Sequence, residues 1–526
     1  MKILLGILVV MAGAGPLRAQ QTRPERTNGA ETSSYADVTG FIDSLEKAGA
    51  SLRVGTLGLS PEGREIPYLI VARPLVDDPA AAARSGKPVI YIQANIHSGE
   101  VEGKEALQMI VRDLTLGPLS SLLDSVIVIA VPIYNIDGNE KFGPGSKTRP
   151  GQNGPAIVGP SLNGQGLNLN RDYVKMEAPE TRGSLALITT WDPDLFIDLH
   201  TTDGSYHGYA LTYATGLNPN SPPSNDYMKD RFLPVIRDRV RRRHQQEIFW
   251  YGNFRNQEPD SLIAGWETYD PRPRFGTNSF GMRGRLSILS EGYSNNPFPL
   301  RIDATYNFVR EILSLAAEQR TQLKAVIHAA ESWHPDSIAV RSVYAPPVVQ
   351  EVIAEITAAD SDGASGFSRR QRTGVFKTIR MPTYLWFTAA RREALPAAYL
   401  LPPQYADLAG LLRRQGVVVE RVPARWTGAV EAFALDSVTA VPFPFEGHRQ
   451  VSVQGSWRTR TDSVGPGWFL VPTSQRQGVF AAYLLEPASE DGFLNWNFFD
   501  REIRRGGEYP VFRVRHSLPL PLRLIP

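Results

Sequence analysis

The sequence predicts an α/β fold, and two observations carry that prediction. Short, continuous apolar runs stand at Pro88 to Ala94, Val126 to Val131, Leu195 to Leu199 and Leu286 to Leu289, while apolar residues at helical spacing fall between and around them. Strands that read as unbroken apolar runs are those buried on both faces by flanking helices.

In chain order, Tyr35 to Lys47 carries Val38, Phe41, Ile42 and Leu45 on one helical face. Leu52 to Leu57 and Ile66 to Ala72 flank the turn Ser60-Pro61-Glu62-Gly63, a β-hairpin expected at the sheet edge. Ala106, Ile110, Val111 and Leu114 mark a further helix, and Asp303 is the expected N-cap of a long one carrying Phe308, Val309, Ile312, Leu315 and Leu323. Beyond about residue 335 the pattern changes. Ala397 to Leu401 reads as strand, Tyr405 to Gln415 as a helix stopped by Gly416, and Val417 to Val422 as strand. From roughly 430 to 526, short alternating runs rich in Trp, Phe, Pro and Gly predict a β-rich piece. The basic run Arg237 to Arg243 reads as a solvated helix face and Phe493 to Phe499 as packed core.

The division expected is a signal peptide at 1–19, a disordered segment at 20–34, a catalytic α/β domain at 35–330 and an α/β and β-rich accessory region at 335–526. With 526 residues, 42% of them apolar, the chain is long enough for two or more cores. The first nineteen residues carry Lys2, an apolar run from Ile3 to Met11 and a small-residue exit ending at Ala19, which predicts export to a periplasm or outside the cell. That run is shorter than the roughly 20 residues a spanning helix needs, so no stable membrane insertion is expected. Lys plus Arg number 56 against 54 Asp plus Glu, a net +2 that gives no field to attract nucleic acid. Cysteine is absent, so any metal must be held by His and carboxylate.

Ligands of that kind occur at strand exits. The run 88–94 leads into Asn95-Ile96-His97-Ser98-Gly99-Glu100, and Leu195-Phe196-Ile197-Asp198-Leu199 ends in His200. Loops beyond the carboxyl ends of strands are where α/β folds build sites. Two His and one Glu form a catalytic zinc set that leaves a fourth position for water, whose pKa the metal lowers to about 7. His207, a few residues past strand support, is expected to lie outside the ligand set or at the surface. Glu291 follows the run 286–289 and is the candidate general base. Asn170 with Arg171, in the polar stretch 166–173, suits bidentate capture of a carboxylate.

His97-Ser98-Gly99-Glu100, Asn135-Ile136-Asp137-Gly138, Asn170-Arg171, His200 and Glu291 fall in the order found in the zinc carboxypeptidase family, the carboxypeptidase A-like peptidases, which this chain resembles over roughly residues 35 to 325. The resemblance implies a mixed twisted sheet of about eight strands with helices on both faces and one zinc ion at strand ends. It implies that Asn170 and Arg171 bind the terminal carboxylate of a peptide, that Arg149 polarises the scissile carbonyl with Lys147 as its rival, and that Tyr269 caps the bound terminus. Peptide or protein C-termini are then the expected substrates. A zinc deacylase or amidase acting on small acyl amino acids or cell-wall peptides is the alternative within the same chemistry, and a peptide-binding protein without activity is the alternative outside it.

Overall fold

The computed structural model describes residues 20–202, 204–358, 370–516 and 523–524; the signal peptide expected at 1–19 lies outside them. Eight strands form the central sheet: β1 (Leu52–Leu59), β2 (Glu65–Val71), β3 (Val89–Ala94), β4 (Ile127–Val131), β5 (Leu195–Thr201), β6 (Leu211–Ala214), β7 (Ile248–Trp250) and β8 (Leu286–Gly292). Their order is β1-β2-β4-β3-β5-β8-β6-β7, with the expected hairpin β1–β2 at one edge. The sheet is mixed. β4, β3, β5 and β8 run parallel, and β2 and β6 join them antiparallel. Every residue of β3, β4, β5 and β8 is buried, which is why these four strands read as continuous apolar runs.

The helices α1 (Tyr35–Lys47), α2 (Glu102–Thr115), α3 (Pro179–Trp191), α4 (Leu233–His244), α5 (Phe298–Glu318) and α6 (Arg320–Glu331) accompany this sheet. Asp303 is not the N-cap of α5. The helix starts six residues earlier, after Pro297, because Pro299 in its first turn already holds the φ a helix needs. Leu323 belongs to α6, which α5 cannot reach unbroken because Gln319 takes φ −104° and ψ 21°. The basic run lies on α4 as a solvated face, with Arg239 paired to Glu318 and Arg243 to Glu311.

Residues 20–34, expected without structure, are ordered. Thr22 and Glu25 form a capping box on a short helix, Arg23–Arg26. Further on, the buried Glu105 carboxylate accepts from Thr32 Oγ1, Ser33 N and Ser33 Oγ at 2.7, 2.8 and 2.6 Å. A polar segment orders when buried partners on α2 satisfy its polar groups, and composition does not carry that information.

Past α6, Ser337–Tyr344 pairs with Phe387–Ala394, and between them an arm of two long strands, Val348–Ala358 and Gln371–Tyr384, doubles back on itself. The second arm strand pairs in parallel with Trp266–Glu267, so a four-stranded sheet takes two strands from each half of the chain. A seven-stranded antiparallel sheet follows, with Ala398–Leu401 and Phe469–Pro472 at its centre and the predicted helix as Ala406–Arg414, ended by Gly416 at φ +78°. Phe493, Trp496 and Phe499 are packed in its core, as expected. Buried polar contacts bind this region to the first half. Arg274 donates through its backbone N and Nε to Asp491 at 2.8 Å each, and Arg283 donates to Gln415 O at 2.6 Å.

Candidate metal centre

The turn after β3 is built on Asn95, whose φ of +66° is one that Asn tolerates better than most residues. Its amide donates to Ser98 O at 2.9 Å and Glu100 O at 3.3 Å, and Asn135 donates to Ile96 O at 3.1 Å. Gly138 sits so close beneath that a Cβ would meet Ser98 Oγ at 2.7 Å. The Asn135-Ile136-Asp137-Gly138 motif is therefore the floor of this turn, and Asp137 anchors it further through Ser60 Oγ at 2.8 Å and Arg64 at 2.6 Å.

Held this way, His97 Nδ1 lies 3.0 Å from Glu100 Oε1. β5 is the parallel neighbour of β3, with Leu199 opposite Ala94, which brings His200 to the same end of the sheet. His200 Nδ1 lies 2.9 Å from Glu100 Oε2, and one donor atom from each of the three residues falls within 4.8 Å of the others. The outer ring nitrogens are occupied. His97 Nε2 is 3.0 Å from Asn168 Oδ1, and His200 Nε2 is 3.0 Å from Asp198 Oδ2 and 3.4 Å from Asn170 Nδ2. An oxygen that takes the far N–H of an imidazole turns its other nitrogen, here Nδ1, toward a metal. Donor type, convergence and outer partners together fit one Zn²⁺.

Burial works to raise the pKa of the Glu100 carboxyl, but His97, Arg149 and His200 outweigh it and hold the group well below the usual carboxylate range. Burial likewise works to lower that of His200, but Asp198 and Glu100 overcome it and raise it well above the ordinary value.

Arg149 reaches the centre and Lys147 does not. The guanidinium donates to Glu100 Oε1 at 3.0 Å and Thr201 O at 3.2 Å, whereas Lys147 is exposed. Asn170 links the centre to the loop before residue 276, its Oδ1 accepting from Gly276 N at 3.0 Å. Arg171 donates to Asn170 O at 2.8 Å and lies over the Phe275 ring, 4.1 Å from its centroid. Glu291 is the register partner of His200 on β8, so both side chains leave the same face of the sheet. Tyr269 packs edge-on against Tyr251 and Phe275, and burial together with the charge of Glu291 pushes the pKa of its hydroxyl up.

His207 is not at the surface. It is 1% exposed in a cage of Tyr209, Trp266 and Tyr293, and burial, helped by Arg372, pushes its pKa down to about 3. The arm strand Val348–Ala358 covers it through a bridge between His207 and Ala354, a partner more than 140 residues away that local sequence does not reveal. Asn168, Asp198 and Tyr251 carry no role in the sequence reading. For Asp198 a signal existed, since a residue two before His200 on a strand shares its face.

Residues 38–258 match the family model described as zinc carboxypeptidase. "Carboxypeptidase 2" of Trichophyton rubrum is 21% identical over 497 residues, covering 90% of this chain and 85% of its own. Its counterpart in Trichophyton equinum is also 21% identical, over 476 residues, covering 87% and 81%. Among solved structures, carboxypeptidase A from Helicoverpa armigera aligns with a TM-score of 0.41 at 16% identity over 57% of this chain and 75% of its own. A metallo-carboxypeptidase from Burkholderia cenocepacia aligns at 0.38 and 19% over 54% and 69%. The family match bears out the resemblance read from the residues, and with it the class of zinc metallopeptidase.

Proposed function

We propose, with the zinc carboxypeptidase match over residues 38–258 as premise, that this chain is an exported metallocarboxypeptidase releasing residues from peptide C-termini. The observation that carries the reading is the convergence of His97, Glu100 and His200 within 4.8 Å, with Arg149 and Asn170 both in contact with that group. His97, Glu100 and His200 would hold one Zn²⁺, which would supply Lewis acidity and make a water more acidic there. Asn170 and Arg171 bind the terminal carboxylate, the guanidinium offering a bidentate fork held over the Phe275 ring. Arg149 donates to the oxygen of the scissile carbonyl as negative charge develops there. Glu291 takes the proton of the attacking water and passes it to the departing amine, and Tyr269 closes over the bound terminus. Export rests on the pattern of residues 1–19; no helix among the described residues is long and apolar enough to cross a membrane. The boundary between the catalytic domain and the accessory region is placed at residues 330–335.

Incubation of the zinc-loaded chain with a mixed peptide pool tests this reading. Stepwise loss of C-terminal residues, abolished by a chelator and restored by zinc, is expected. Release of acyl groups from N-acyl amino acids without any action on peptides would replace it with the deacylase reading.

A further inference from the structure

Arg301 stands in the first turn of α5 and is fully buried, as is Glu102 at the start of α2, two residues beyond Glu100. The two form an ion pair, with Arg301 Nε 3.3 Å from Glu102 Oε2. The same guanidinium gathers carbonyls from two separate segments. Nη1 and Nη2 donate to Asn153 O and Gly154 O at 2.9 and 2.7 Å, and Nη1 also donates to Asn296 O at 2.8 Å.

Those segments adjoin Arg149 and Glu291. Asn153 and Gly154 end the loop that begins at Arg149, and Asn296 follows Glu291 by five residues. Asn153 N donates to Ser294 O at 2.8 Å and its side chain to Asn295 O at 3.2 Å, so the two segments lie side by side against Arg301. Between Arg149 and Asn153, the Gln152 side chain donates to Gly99 O at 3.1 Å and accepts from Arg149 Nε at 3.4 Å. A shift of Asn153 is therefore passed through Gln152 to the guanidinium that faces Glu100. The other side has no slack, because a Cβ on Gly292 would collide with Glu102 Oε1.

We propose that Arg301, held by Glu102, is a positioning residue that sets Arg149 at the metal centre by locking its loop to the segment after Glu291. The inference rests on the carboxypeptidase reading, in which Arg149 donates to the scissile carbonyl. A buried ion pair is a poor device for stability alone, since apolar side chains of similar volume often serve as well or better. What a guanidinium adds is several donors in one rigid plane, here aimed at carbonyls of both segments at once. Such precision matters where a displacement of about 1 Å can cost about 10² in rate. Arg301 acts through Arg149 and not on the substrate.

The test is a double-mutant cycle on the full zinc-loaded chain, with one peptide that the native protein cleaves, reading kcat, KM and bound zinc. Arg301→Lys keeps the charge opposite Glu102 but loses the planar fork. It is expected to retain equimolar zinc and to lower kcat about tenfold, with KM changed by less than about twofold. In an Arg149→Ala background the same substitution is expected to change kcat by less than about twofold, because the group it positions is gone. Should Arg301→Lys fail to fold or to hold zinc, Glu102→Gln carries the same cycle with the same expectation. A native kcat in the single variant overturns the inference, as does an equal loss in both backgrounds, which a merely structural role would give. Absence of release from any peptide by the native chain overturns the carboxypeptidase reading itself.

Discussion

An imidazole ligates a metal through one nitrogen, so each histidine of this centre needs a partner for the other. The partners differ: an amide oxygen from Asn168 for His97 and a carboxylate from Asp198 for His200. His97, Glu100 and His200 were legible because each stands where an apolar strand gives way to polar residues. Asn168 was not, because spacing does not say which ring nitrogen faces outward. Choosing Arg149 over Lys147 needed the chain's path, since the residues are two apart and only Arg149 folds back onto Glu100. Arg149→Ala is expected to lower kcat by about 10² to 10³, the usual cost of an oxyanion donor, while Lys147→Ala stays near the native rate in the same steady-state assay. Equal losses in both variants would contradict the assignment.

Among the elements, the four buried strands β3, β4, β5 and β8 were readable because burial on both faces leaves no polar position to interrupt the pattern. The arm was not. Gln371–Tyr384 is largely exposed along its first eight residues, so no alternation of apolar and polar residues marks it as a strand. What it covers is His207, and this has a consequence for stability against pH. The folded-state pKa of about 3 lies below the ordinary 6.5, so between these values the unfolded chain binds a proton that the folded chain refuses. The stabilising contribution is full above pH 6.5 and is lost as pH falls toward 3, at up to about 1.4 kcal/mol per pH unit. His207→Asn keeps an acceptor for Tyr209 N without a titrating ring. Denaturant unfolding at neutral pH and at about pH 4 is expected to show a smaller acid loss in this variant than in the native chain. Identical pH slopes would contradict the buried, neutral state of His207.

At the scale of the whole molecule, the C-terminal region is built into the part of the chain that carries His97, Glu100 and His200. It completes a sheet begun by Asn253–Phe254 and Trp266–Glu267, and it buries Asp491 against Arg274, next to Phe275 and its contact with Arg171. The change of pattern near residue 335 was visible in the sequence, but these contacts join residues more than a hundred positions apart and are set by packing. The central claim, a zinc centre served by Glu291 as base, is tested most directly by metal analysis of the Glu291→Gln variant alongside its rate of peptide release. Equimolar zinc with release slowed by about 10² to 10⁴ is the predicted result. Loss of zinc in this variant, or release at the native rate, would contradict the account.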